Sequence, residues 1–234
     1  MSSTASWRIF ASGLLIVALP ACTTRSVGDV DVSRAFKDCR HWTVEQEHTD
    51  ARVSCRHGAM DIDSPAGITV WLNQELTGPV EIEFQATAIS AGGRNDRVSD
   101  LNVFWMANNV DGETPIYRKR RSGRFADYND LLTYYVGLGG NRNTTTRFRR
   151  YIGDPAIRPL LPEHDLSAPA TLLVANRPQT ITLIADGKHI EYRRDGRPLF
   201  VYEDEAPYTH GWFALRTTSS HLRIAKLRIH RPAG

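Results

Sequence analysis

Hydrophobic and polar residues alternate along most of this chain, and few stretches carry the three-to-four-residue spacing of an amphipathic helix. Val80, Ile82 and Phe84 alternate with Glu81, Glu83 and Gln85, the pattern of a strand whose sheet buries one face. Similar runs bounded by turn residues predict strands over 68–73, 80–89, 101–107, 131–138, 145–151, 171–175, 180–185, 189–193, 198–202, 212–217 and 222–230. So many short strands, with room for one short helix or turn within 33–48, predict an all-β sandwich. Asp186-Gly187 and Asp195-Gly196 supply the positive-φ residues of tight hairpins, which makes 181–202 a three-stranded meander.

One predicted hairpin, 134–151, carries a high density of hydrogen-bonding side chains around a Gly/Asn turn that includes Asn141 and Asn143. On its first strand Tyr134, Val136 and Leu138 share a face, and Tyr135 and Gly137 take the other. On its second strand Arg147, Arg149 and Tyr151 line one face, with Phe148 opposite. A planar guanidinium matches a carboxylate or a pair of sugar hydroxyls, and a tyrosine adds an apolar platform with a polar edge. A ligand-binding face is one reading of this pattern; a solvated outer face is the other. The long irregular region 108–129, with its basic run from Arg118 to Arg121, is expected either to cover a ligand or to form a solvated loop.

Composition narrows the classes. The 234 residues suit one large β domain, and 24% charged residues with a net charge of only +3 give no basic field of the kind nucleic acid requires. Residues 1–22 read as an export signal: a short polar segment, an apolar stretch over 9–20 too short to span a bilayer, then Ala21-Cys22. The pattern resembles a bacterial lipoprotein signal that would leave Cys22 lipidated; a plain secretory signal is the alternative. The expected location is the periplasm or cell envelope, with membrane contact only through the anchor. Residues 23–60 are expected to form a tether and N-terminal segment, and 61–234 the sandwich. In an oxidising compartment Cys39 and Cys55 form a natural disulfide pair, the alternative being a zinc site made with His41 and His57. Asp61 and Asp63, like Asp111 and Glu113, alternate without making a recognised calcium loop, so no metal and no cofactor is expected.

Residues 99–107, the 134–151 hairpin, Tyr192-Arg193-Arg194-Asp195-Gly196 and 207–217 resemble a bacterial domain-of-unknown-function family. That family is similar to the concanavalin-A-like lectin/glucanase superfamily and is associated with polysaccharide degradation. The resemblance spans roughly residues 61–229. It implies a jelly-roll β-sandwich of two antiparallel sheets, with a sugar held across the concave face. Asp100, Asn102, Tyr135, Arg147, Arg149 and Tyr151 would then form one concave strip.

Retaining glucanases of that superfamily carry alternating acidic residues on one strand. Here the near match is Glu81 and Glu83, better read as a solvated face. Removing the proton α to a uronate carboxyl instead requires a group that neutralises the carboxylate and a Tyr or His to move protons. Arg147 and Arg149 suit the first role; Tyr135 or Tyr151, with His210 as partner, suits the second. Trp105, Trp71 and Trp212 are candidate stacking platforms for sugar rings. The expectation is therefore a monomeric enzyme that cleaves an acidic glycan by β-elimination, with substrate contacts from Asp100, Asn102, Trp105, Asn141, Asn143 and Tyr151. A glycoside hydrolase of the same fold, a non-catalytic glycan-binding lipoprotein and a structural envelope protein are the alternatives.

Overall fold

The computed structural model describes Val32 and residues 35–232. The predicted export signal and Cys22 lie outside these residues. Two antiparallel sheets pack face to face as a jelly-roll sandwich, joined by two strands long enough to run through both.

The first sheet contains β1 (Trp42–Gln46), the second half of β3 (Ala59–Leu72), the first half of β13 (His210–His230), β6 (Leu101–Asn108), β7 (Leu132–Gly139), β8 (Thr145–Ile152) and β9 (Asp165–Leu166). The second contains β2 (Arg52–Arg56), the first half of β3, the second half of β13, β5 (Val80–Ala88), β10 (Gln179–Asp186), β11 (His189–Arg194) and β12 (Arg197–Glu203). A short β4 (Leu76–Thr77) pairs with the start of β13.

The alternation explains the core. Val103, Trp105, Tyr134, Val136, Phe148, Phe213 and Leu215 point inward from the first sheet and meet Ile82, Phe84, Ile181, Leu183 and Ile224 from the second. Trp105 is wholly buried, with its ring 5.5 Å from Tyr134 and 6.1 Å from Phe148. It is a core residue and not a sugar platform, because its position on β6 has the inward parity.

Three expectations about elements change. The predicted strands 212–217 and 222–230 are one strand, β13, whose pairing with β3 shifts between Thr218 and Ser220. Ser219 sits there at φ +46 and its hydroxyl donates to the carbonyl of Pro65, so the break in alternation marks a bulge and not a chain reversal. Residues 171–175 form no strand; Leu172 and Leu173 instead give their carbonyls to Arg194 and Asn143. Residues 42–60, read from the sequence as lying ahead of the sandwich, supply β1 and β2, one strand to each sheet.

The disulfide is present. Cys39 and Cys55 are bonded with Cα atoms 5.4 Å apart, which removes the zinc alternative. Glu81 and Glu83 lie on the outer face of the second sheet, beside His230 and Arg228. They are the solvated pair that the pattern suggested.

Candidate functional site

Antiparallel pairing sets cross-strand neighbours side by side on one face. Across the outer face of the first sheet one row runs Glu45, Thr69, Arg216, Asn102, Gly137, Arg147 and Asp165. The adjacent row runs Thr43, Trp71, Ala214, Phe104, Tyr135 and Arg149. Gly137 is the one position in the first row without a side chain, and the ring of Tyr135 leans over it. A Cβ built there would stand 2.7 Å from the Tyr135 hydroxyl and 3.1 Å from Asn102 Oδ1. A pocket of about 410 Å3 opens over this gap, lined among others by Asp100, Asn102, Tyr135, Arg147, Arg149 and Arg216.

The structure brings much of the predicted strip together around this pocket. Asp100, Asn102, Tyr135, Arg147, Arg149 and Asn141 all line the pocket. Asn141 reaches it from a turn in which Asn141, Arg142 and Asn143 all take left-handed conformations, a region that asparagine tolerates better than most residues.

Four predicted residues lie elsewhere. Tyr151 has the right parity but is wholly buried, its ring 5.6 Å from that of Tyr135 under the 109–131 segment. Trp105 faces the core. Asn143 uses its amide structurally, donating to the Leu173 carbonyl at 3.0 Å and accepting from the Leu173 N–H at 2.9 Å. His210 stands at the start of β13, half-exposed, with Nδ1 2.7 Å from Glu75 Oε1, and does not line the pocket. It cannot partner Tyr135 there.

The pocket's electrostatics follow from which cations are already paired. Arg147 makes a two-pronged ion pair with Asp165 at 2.8 and 3.0 Å, so it is a wall more than a free clamp. Among the described residues, Arg149, Arg158 and Arg216 have no carboxylate salt-bridge partner. Arg149 donates to the carbonyl of Arg158, and burial lowers its pKa. Arg216 is 2% exposed; it donates to Thr69 Oγ1 and the Gly123 carbonyl, both at 2.8 Å, and lies over the Phe125 and Tyr128 rings. Burial lowers its pKa as well, but a guanidinium stays charged.

Two groups with movable protons remain. Burial lifts the Asp100 carboxyl above its ordinary pKa, offset in part by a hydrogen bond from Ser99. Burial, and then the neighbouring phenol of Tyr151, lift the Tyr135 hydroxyl well above its ordinary value. Tyr135 is held protonated, which makes it a proton donor and not a resting base. Asn102 is 4% exposed, and its Oδ1 has no hydrogen-bond partner. A buried acceptor left open at a pocket is one a ligand hydroxyl can satisfy.

Sequence reading missed Arg216, Arg158 and Glu47, which also line the pocket. Arg216 left a trace: within the predicted strand 212–217 it is the single charged residue, following Trp212, Phe213, Ala214 and Leu215.

The 109–131 segment forms the pocket's roof on one side. It contains two short 3-10 turns (Ile116–Arg118 and Phe125–Tyr128), and Ile116, Tyr128 and Leu131 form a second apolar cluster with Trp71, Phe104, Tyr135, Tyr151 and Trp212. Trp71 and Trp212 are thereby covered and offer no stacking surface. In the basic run, Arg121 is buried and bonded to the carbonyls of Ile116, Lys119 and Asp127, while Lys119 pairs with Asp130. This run therefore braces the segment, and only Phe125 reaches the pocket.

The profile of a domain of unknown function (DUF6250) matches residues 62–227, most of the chain, and the chain belongs to that family. No curated protein matches it in sequence. Among solved structures it is similar to a Bacillus subtilis protein of unknown function with a galectin-like fold, at 14% identity and TM-score 0.61, over 81% of this chain and 89% of that one. It is similar to the carbohydrate-binding module CBM66 from Bacillus subtilis, at 10% identity and TM-score 0.53, over 81% and 95%. It is also similar to a putative glycosyl hydrolase from Parabacteroides distasonis, at 10% identity and TM-score 0.53, over 88% and 94%. At these identities the likeness is one of fold.

Proposed function

We propose that this DUF6250 domain binds an acidic saccharide in the pocket over Gly137. The observation that carries the reading is the gathering of Arg149, Arg158 and Arg216, none with a carboxylate salt-bridge partner, around the open acceptor of Asn102. A uronate carboxylate would lie against Arg149 and Arg216, where low local polarity strengthens the pairing. Asn102, Asn141 and Asp100 would take ring hydroxyls. Tyr135 would offer the partly buried edge of its ring. The sugar-related folds similar to this one, a carbohydrate-binding module and a putative glycosyl hydrolase, support a glycan as the ligand class.

The same pocket supports a chemical step. With the carboxylate neutralised by Arg149 and Arg216, the ionised fraction of Asp100 takes the proton α to it. The carbon–oxygen bond at the β position breaks as the double bond forms, and the Tyr135 hydroxyl protonates the leaving oxygen. The disulfide and the N-terminal pattern support export to the periplasm or cell envelope, with Cys22 as lipid anchor.

Calorimetry with uronic-acid oligosaccharides tests the binding. Arg149→Gln is expected to weaken affinity at least tenfold, about 1.4 kcal/mol, while neutral oligosaccharides bind poorly to both proteins. Equal affinity for neutral and acidic sugars would sink the acidic assignment. Elimination predicts a growing absorbance from unsaturated uronate that Tyr135→Phe abolishes while binding persists. New reducing ends without that absorbance would move the chemistry to hydrolysis by Asp100 and Glu47, the pocket's two carboxyl groups.

A further inference from the structure

The row of residues that forms the pocket floor is also the direction in which a polysaccharide would lie if it crossed the sheet from edge to edge. Both ends of that row are closed. At the β1 end, Gly123 is packed so tightly that an added Cβ would fall 2.5 Å from the Glu47 backbone nitrogen, and the Gly123 carbonyl is held by Arg216. Glu45 below accepts from the Arg121 N–H, so this closure is bonded down and not merely laid over. At the β9 end, the Arg147–Asp165 pair forms a wall and the Arg158 carbonyl sits on Arg149. Alongside, Phe125 and the apolar cluster under the 109–131 segment fill the next rows of the same face.

From this geometry we infer that the pocket takes a chain end: a terminal sugar residue enters it and the rest of the glycan extends into solvent. The inference rests on the glycan-binding reading above and adds the position along the chain that is recognised. The volume agrees, since about 410 Å3 lies near the lower end of small-ligand sites and far short of a groove spanning seven strands. The floor agrees too. One gap at Gly137 is flanked by side chains on either side in its row, so the sheet offers one ring-sized depression and no repeat of it.

The test is a binding stoichiometry. The disulfide-intact protein is titrated with uronic-acid oligosaccharides of graded length and with polygalacturonate and alginate, and in parallel with a neutral malto-oligosaccharide series. Chain-end capture predicts one protein bound per glycan chain whatever its length, with the affinity per chain constant beyond the shortest oligomers. Arg149→Gln should weaken that binding and leave its stoichiometry unchanged. A number of proteins per chain that rises with length would overturn the chain-end inference and leave the acidic-sugar reading standing. One-per-chain binding confined to the neutral series would support chain-end capture while overturning the acidic reading. No binding in either series would overturn both.

Discussion

Asp100 shows how a single position combines strain, charge and chemistry. It holds φ +59, a conformation that asparagine adopts more readily than most residues, and its carboxyl lies in a pocket wall. Burial raises its pKa above the ordinary 3.8. Below that ordinary value the carboxyl is neutral in both folded and unfolded chains and costs nothing. As pH rises through the ordinary value and then the raised one, the unfolded chain loses its proton first, so folding stability falls. Asp100→Asn is therefore expected to melt higher than the wild type at neutral pH, and the gap should close as the pH falls below about 3.8, an unfolding series across pH being the check. If Asp100 also serves as the base, the same variant binds sugar and turns none over. Alternation, being local, put Asp100 with Asn102, and Arg147 with Arg149, on one face of their own strands; the family resemblance is what implied that these strands and Tyr135 share a single concave face. Tyr151 shares the parity of Arg147 and Arg149, but parity does not say what lies on top of a residue, and Tyr151 is wholly buried. Arg216 escaped for the complementary reason: its role depends on β13 lying beside β6, a long-range pairing that no window of sequence contains.

At the scale of elements, the 109–131 segment was legible as a loop and not as a braced wall. What braces it is Glu45, a buried carboxylate on β1 that accepts from Trp71 Nε1 at 2.9 Å, the Tyr128 hydroxyl at 2.8 Å and the Arg121 N–H at 3.0 Å. These partners lie 26, 83 and 76 positions along the chain, so the signal was spread beyond any motif. Glu45→Ala would leave three buried donors without their acceptor. Each such loss costs about 1–3 kcal/mol, and partial relaxation brings the expected total to about 3 kcal/mol in a urea titration. The same variant should make 109–131 more open to proteolysis and, by loosening Phe125, weaken sugar binding. A variant as stable as the wild type with an uncut segment would mean that the apolar cluster alone holds this wall.

At the scale of the molecule, the all-β sandwich followed from alternation and turn residues, while its joinery did not. β3 and β13 pass from one sheet to the other side by side, and their bulges look in sequence like strand ends. The N-terminal edge was hidden similarly: β1 and β2 are short, and each completes a sheet only by pairing with β3. Here the disulfide acts. Cys39 lies just before β1 of the first sheet and Cys55 lies in β2 of the second, so the bond ties together the two short strands that pair end to end along the side of β3 away from β13. It closes a loop of 16 positions, for which loop entropy alone gives about 3 kcal/mol. In a chain of this size that corresponds to a fall in melting temperature of roughly 6–12 °C for Cys39→Ser with Cys55→Ser, or for the reduced protein. The loss should be local in onset. Amides of β1 and β2 would exchange with solvent before those of β5 and β10, and because Glu45 sits on β1 and holds the Arg121 N–H, the 109–131 segment that brings Phe125 to the pocket should loosen with them. Sugar affinity is thus expected to fall on reduction even at temperatures where the sandwich remains folded. Unchanged affinity in the reduced, folded protein would show that pairing with β3 and the Glu45 bonds hold that edge without the covalent tie.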